Sequence, residues 1–202
     1  MADAGRHPKI KLLTNSEVKS VTGYVGNFEA RILQKARFVR EAECTSCGDC
    51  AAVCPVLVPD EFNQGLSTRR AIYRPFAQAV PGAYILDNDH CLGHDPIKCG
   101  KCAEACQKHC IDFDMSDQEI TVQAGTIVVA TGMEVYDPTV LDEYGYTRYQ
   151  NVVTSLELER LINSGGPSRG EVVRLTDRQT PKSVAFIQCV GSRSQNRGNP
   201  YC

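Results

Sequence analysis

Between residues 28 and 33 the chain alternates. Phe28, Ala30 and Ile32 fall on one side of an extended segment and charged Glu29 and Arg31 on the other, the period of two expected of a half-buried strand. Ahead of it Ile10 to Leu13 is a short apolar run, and Ser20 to Gly26 sets two glycines around Tyr24, so the pattern predicts a strand and then a hairpin. Further on, Glu119 to Gln123 and Gly125 to Ala130 read as a second hairpin whose last strand, Thr126 to Ala130, is apolar on both faces. Such a strand belongs inside a covered, often parallel, sheet. It runs into Thr131-Gly132, where the missing Cβ lets backbone and ligand approach closely. Ser155 to Ile162 carries Leu156, Leu158, Leu161 and Ile162 as an amphipathic helix, closed by Gly165, Gly166 and Pro167. Lys182 to Gln188 reads as a further strand with an apolar centre. The α/β unit it opens is expected to break off in mid-unit, since no helix follows before Cys202.

The middle of the chain shows no such periodicity and is punctuated by cysteine instead. Two blocks stand out, Cys44-Thr-Ser-Cys47-Gly-Asp-Cys50-Ala-Ala-Val-Cys54-Pro55, and Cys91 followed by Cys99-Gly-Lys-Cys102-Ala-Glu-Ala-Cys106. Short helical turns are predicted at Asp49 to Val53 and Lys101 to Cys106. Between the blocks, Pro59, Gly65, Pro75, Pro81 and Gly82 mark a long irregular connection with a predicted helical turn around Thr68 to Tyr73.

Composition narrows the chemistry. The chain has 202 residues, 11 of them cysteine, and a formal net charge of −2. That length accommodates one medium domain or two small ones and buries roughly 70% of the unfolded surface. Lys and Arg are scattered rather than gathered in a tract, which argues against nucleic-acid binding. Met1 to Ile10 holds no apolar signal core, and the longest clean apolar run, Ile127 to Ala130, is far too short to span a bilayer. A cytoplasmic chain is expected, and there so many cysteines point to metal ligation rather than to disulfides.

The first block matches the CxxCxxCxxxCP run of two-cluster iron–sulfur electron carriers, in which the fourth cysteine of a block ligates the other cluster. The spacing therefore predicts one [4Fe–4S] cluster on Cys44, Cys47, Cys50 and Cys106, and a second on Cys54, Cys99, Cys102 and Cys91. Cys91 is the ligand open to question. Its separation from Cys99 requires Leu92 to Lys98 to loop out, and His94 within that loop is the alternative eighth ligand. A zinc ribbon on Cys47, Cys50, Cys99 and Cys102 would leave Cys44, Cys54, Cys91 and Cys106 without a role. A thioredoxin-like pair on Cys44 and Cys47 lacks a preceding βαβ context. Cys110 reads as a small apolar residue, and His90 and His109 as surface loop residues. The group Arg69, Arg70 and Arg74 reads either as a solvated face or as charge set near anionic clusters, where it would favour the reduced state. No residue is placed as a general base or nucleophile.

Taken together, Ser20 to Phe28 (SVTGYVGNF), the first cysteine block, Arg70 to Val80 (RAIYRPFAQAV), Cys99 to Cys106, Ile127 to Gly132 (IVVATG) and Val184 to Arg193 (VAFIQCVGSR) resemble the A-subunit family of heterodisulfide reductases. These are the flavin-bearing iron–sulfur subunits of cytoplasmic electron-bifurcating complexes in methanogens and related anaerobes. The resemblance runs over essentially the whole chain. It implies an α+β fold in which a two-cluster ferredoxin-like module, residues 44–113, is inserted in a partial α/β FAD domain of the thioredoxin-reductase-like class. Residues 1–43 and 114–150 would then be FAD-domain segments, and residues 151–202 a helix and the start of a second α/β unit.

The resemblance further implies that Ala130, Thr131 and Gly132 pass close to FAD, and that Cys189 and Cys202 match the first two ligands of a third cluster. The expected partners are other heterodisulfide-reductase-like subunits and a hydrogenase or dehydrogenase donor. Two departures stand out. No GxGxxG follows a strand, and the last two third-cluster ligands do not occur, so the chain is expected to be an internal fragment. Two other readings remain at this point, a zinc-stapled interaction module and a truncated product without independent function.

Overall fold

The computed structural model describes residues 2–93, 98–195 and 200–201. His94 and Cys202 lie outside the described residues. By its contacts the chain divides into two units, one comprising residues up to Phe62 together with Thr68–Val129, the other Asn63–Ser67 together with the residues from Ala130 onward.

The first unit opens with a short helix, α1 (Ala2–Arg6), and then a hairpin of β1 (Ser16–Tyr24) and β2 (Asn27–Gln34). Ile10 to Leu13, expected to be extended, forms no strand; the ladder begins at Ser16. Tyr24 pairs with Asn27 across the Val25-Gly26 turn, and Gly23 has a φ of 97°. A Cβ at Gly23 would stand 2.2 Å from the carbonyl oxygen of Asn27, so glycine is required there on two counts. Ala30 and Ile32 also pair with Val122 and Ile120 of β7 (Gln118–Ala124), which closes an antiparallel sheet of order β1-β2-β7. The strand at Glu119 to Gln123 therefore exists, but its partner is β2 and not Gly125 to Ala130.

Within the cysteine-bearing segment lie two helical turns, α2 (Asp49–Ala52) and α3 (Lys101–Ala105), within a residue or two of the predicted bounds. The stretch between them corrects one expectation. Thr68 to Tyr73 is not helical; it forms β4 (Thr68–Arg70), paired with β3 (Leu57–Pro59), and β5 (Ile72–Tyr73), paired with β6 (Ile85–Leu86). Pairing explains the difference. Asp87 N–H donates to the Ala71 carbonyl at 2.7 Å and Leu86 N–H to the Arg37 carbonyl at 3.1 Å, so segments distant in sequence pull this stretch into extended form. Ala71 and Ile72, both 0% exposed, are driven inward by it. The core of this unit is Val39, Ile72 and Leu86 together with the buried thiols of Cys50, Cys102, Cys106 and Cys110.

In the second unit α4 (Ser155–Ile162) has the bounds its periodicity predicts. Thr154 caps it, its hydroxyl accepting from the Glu157 N–H at 3.2 Å while the Glu157 carboxylate takes the Thr154 N–H. Leu161 is buried, and Arg160 donates to Asn63 at 3.1 Å. The two predicted apolar strands behave differently. Residues 126–130 and 183–188 form no regular element and join no sheet among the described residues, and Val128, Val129 and Phe186 are 85%, 77% and 71% exposed. Two-faced apolar strands need hydrogen-bonding neighbours on both edges. None of the described segments pairs with these two.

Among the described residues no helix is long and apolar enough to cross a membrane.

Candidate metal centre

Each cysteine block turns on a glycine. Gly48 and Gly100 have φ of 95° and 62°, a left-handed conformation that costs other residues energy, and each immediately precedes its helical turn. The Gly48 carbonyl accepts from Ala51 and Ala52, and the Gly100 carbonyl from Ala103 and Glu104, so the two turns are built alike. Their N-terminal cysteines, Cys50 and Cys102, are buried as a result. Cys54 and Cys106 come one turn later, where the helices have ended.

These turns distribute the thiols between two cavities. The first, of about 80 Å³, is lined by Cys44, Cys47, Cys50 and Cys106, with Val39, Tyr84 and Ile111 among its walls. The second, of about 20 Å³, is lined by Cys54, Cys91, Cys99 and Cys102, with Ile72, Leu86 and Phe113. Cys54 thus leaves its own block to join the second block's cavity, and Cys106 crosses the other way. The cavities bring together the cysteines that the spacing groups, with Cys110 added to the first. In type and number the donors fit one cubane of thiolate ligation at each cavity. No three His, Cys, Asp or Glu side chains among the described residues converge closely enough to hold a single metal ion; the thiols surround space instead.

The electrostatics are those of thiols in an apolar interior. Burial pushes Cys50 up to about 12 and Cys102 to about 11, and nearby cysteines add to the effect. Cys91 also rises by burial, partly offset by the Gly93 N–H, which donates to its sulfur at 3.3 Å. Thiols held protonated in this way are poor ligands until a metal displaces the proton.

Several features were not visible in the sequence. Cys110 is 3% exposed, lines the first cavity as a fifth thiol, and stands 3.4 Å from the Cys106 sulfur. It packs in the core as a small apolar residue would and also faces the cavity. The available signal lay after the block: Pro55 carries the chain away from Cys54, whereas His109, with a φ of 48°, turns it back after Cys106. Bridging of Val39 to Ile111 and donation from the Arg40 N–H to the Cys110 carbonyl at 2.8 Å then fix the return. Arg69 is neither solvated nor at a cavity wall. Its guanidinium lies 3.8 Å above the Tyr73 ring, and it pairs with Glu61 at 2.7 Å and Asp87 at 2.8 Å, clamping the connection between the blocks. Arg74 is partly buried, near Tyr84 in the wall of the first cavity.

Ala130, Thr131 and Gly132 lie in an exposed irregular segment, and a Cβ at Gly132, φ 79°, would meet nothing within 4 Å. Cys189 is exposed at the bend after residues 183–188.

No family model matches the chain. Among curated proteins it aligns along its full length with several relatives, including the following three. It is 52% identical to the second of the iron–sulfur A subunits of CoB–CoM heterodisulfide reductase in Methanopyrus kandleri. It is 50% identical to the iron–sulfur A subunit of CoB–CoM heterodisulfide reductase from Methanocaldococcus jannaschii, and 48% to the A subunit of the H2:CoB–CoM heterodisulfide,ferredoxin reductase of Methanothermobacter thermautotrophicus. Each alignment covers 100% of this chain and 30% of the relative.

Proposed function

We propose that this chain, which belongs along its whole length to the A-subunit family of heterodisulfide reductases, holds two [4Fe–4S] clusters in residues 44–113 and passes single electrons through them. The observation that carries this reading is the exchange of Cys54 and Cys106 between the two cavities. A mononuclear zinc site has no use for such an exchange, whereas a pair of neighbouring cubanes is ligated in this way.

A bound cluster supplies a one-electron centre whose potential follows from its charge, hydrogen bonds and solvent exposure. What the chain itself does is hold and insulate. Cys44, Cys47, Cys50 and Cys106 fix one centre, and Cys54, Cys91, Cys99 and Cys102 the other. Val39, Tyr84 and Ile111 keep water from the first, and Ile72, Leu86 and Phe113 from the second. The Gly93 N–H on the Cys91 sulfur stabilises negative charge there. Because α2 and α3 pack together, the two cavities are neighbours, as a relay requires.

In a protein of the relatives' length, Ala130, Thr131 and Gly132 would meet FAD, and the clusters would connect that flavin to a partner. Cys189 and Cys202 would contribute to a third cluster. The names of relatives mention dihydrogen, formate, and ferredoxin with reduced F420, so the proposed assembly is a heterodisulfide reductase complex fed by a hydrogenase or dehydrogenase.

Anaerobic reconstitution tests the reading. About eight irons and as many acid-labile sulfides per chain, with broad visible absorption that dithionite bleaches, are expected. One or two irons without sulfide, or stoichiometric zinc, would overturn it.

A further inference from the structure

The first cavity contains one thiol more than a cubane needs. Cys44, Cys47, Cys50, Cys106 and Cys110 all line it, and the last two are both buried, with sulfurs 3.4 Å apart. The second cavity has no such extra thiol; Cys54, Cys91, Cys99 and Cys102 are its cysteines. Cys110 is also held in place from the backbone. Its carbonyl accepts from Arg40, the next residue bridges to Val39, and the Asp112 N–H donates to the Phe38 carbonyl at 3.0 Å. A side chain so anchored, facing the cavity beside an assigned ligand, is positioned to ligate.

We infer that Cys106 and Cys110 share the fourth ligand position of the first cluster, either thiol serving in place of the other. The inference rests on the two-cluster reading. The exchange is balanced without any oxidant or reductant. The iron–sulfur bond to Cys106 breaks as that to Cys110 forms, and the proton of the Cys110 thiol passes across the 3.4 Å contact to the Cys106 sulfur. The cluster keeps four thiolates, and the iron its oxidation state, throughout.

The second cavity serves as an internal control. Iron and sulfide are measured in the anaerobically reconstituted chain for the wild type, C106A, C110A and the double variant, with electron paramagnetic resonance of the dithionite-reduced proteins. Wild type, C106A and C110A should each hold about eight irons, and the double variant about half of that. C106A falling to the level of the double variant would overturn the inference. Should C106A bind no iron and fail to fold, C110A decides. The wild-type first-cluster signal should be a mixture of two ligand forms that C110A reduces to one, and a C110A signal identical to that of the wild type would overturn the inference. A wild type that itself falls well short of about eight irons would instead refute the two-cluster reading on which the inference depends.

Discussion

The cavity of Cys44, Cys47 and Cys50 takes three thiols from one continuous loop and adds Cys106 and Cys110, whereas the cavity of Cys54, Cys91, Cys99 and Cys102 gathers its thiols from three separate places. The first is also the roomier, at about 80 Å³ against 20 Å³. Both rest on the same glycine-led turn. One local device, used twice, leaves cavities that differ in thiol number and volume once the chain around it differs. The first site has a surplus thiol and space. The second has a single thiol for each position and walls that press directly on them, among them Ile72 at 0% exposure.

That inequality can be broken experimentally, and the largest effect belongs to the second cavity. C102A should lose about half of the bound iron while C110A loses none, as read by iron and sulfide analysis. Equal losses would erase the distinction. C91A sharpens it further: loss of the same half is expected, whereas retention in C91A together with loss in H94A would place the histidine in the ligand set. Next in size is I72A, which empties the wall between Leu86 and the second cavity. A destabilisation of about 3 kcal/mol is expected from a fully buried isoleucine, measured by denaturant titration under anaerobic conditions. An equivalent cut at exposed Val53, V53A, should cost much less.

The smallest effect concerns the clamp that joins the blocks. Burial alone would raise the Asp87 carboxyl, but hydrogen bonds from Arg69 and His90 more than reverse this and hold it below its ordinary 3.8. A carboxyl lowered on folding contributes stability above its unfolded value, and that contribution disappears as the pH falls through the lowered folded value. D87N should therefore be less stable than the wild type by about 1 kcal/mol near neutrality. The gap should close as the pH is taken below 3.8, and a gap that widened on acidification would refute the assignment.

Much of the site was legible because cysteine spacing encodes it locally. The two helical turns and α4 follow from residues within a few positions of one another. What escaped depends on distant partners. Glu119 to Gln123 declares itself a strand by alternation, yet nothing nearby says that it pairs with β2, more than eighty residues earlier. Thr68 to Tyr73 reads as a helical turn until Val58 and Ile85 draw it out. Cys110 escaped because its approach depends on His109 in a left-handed conformation that histidine adopts only occasionally. Residues 126–130 show the opposite case. Their apolar pattern asks for a sheet that the described residues do not supply, in a chain that spans 30% of its relatives.

The thiols of Cys50, Cys102, Cys106 and Cys110 are not set on a finished core; with Val39, Ile72 and Leu86 they make it up. Such a molecule ages from the inside. With clusters bound as proposed, colour and resistance to protease should fade together in air, because losing the iron would free the thiols that make up the interior. Its lifetime is then a measure of how well its surroundings exclude oxygen.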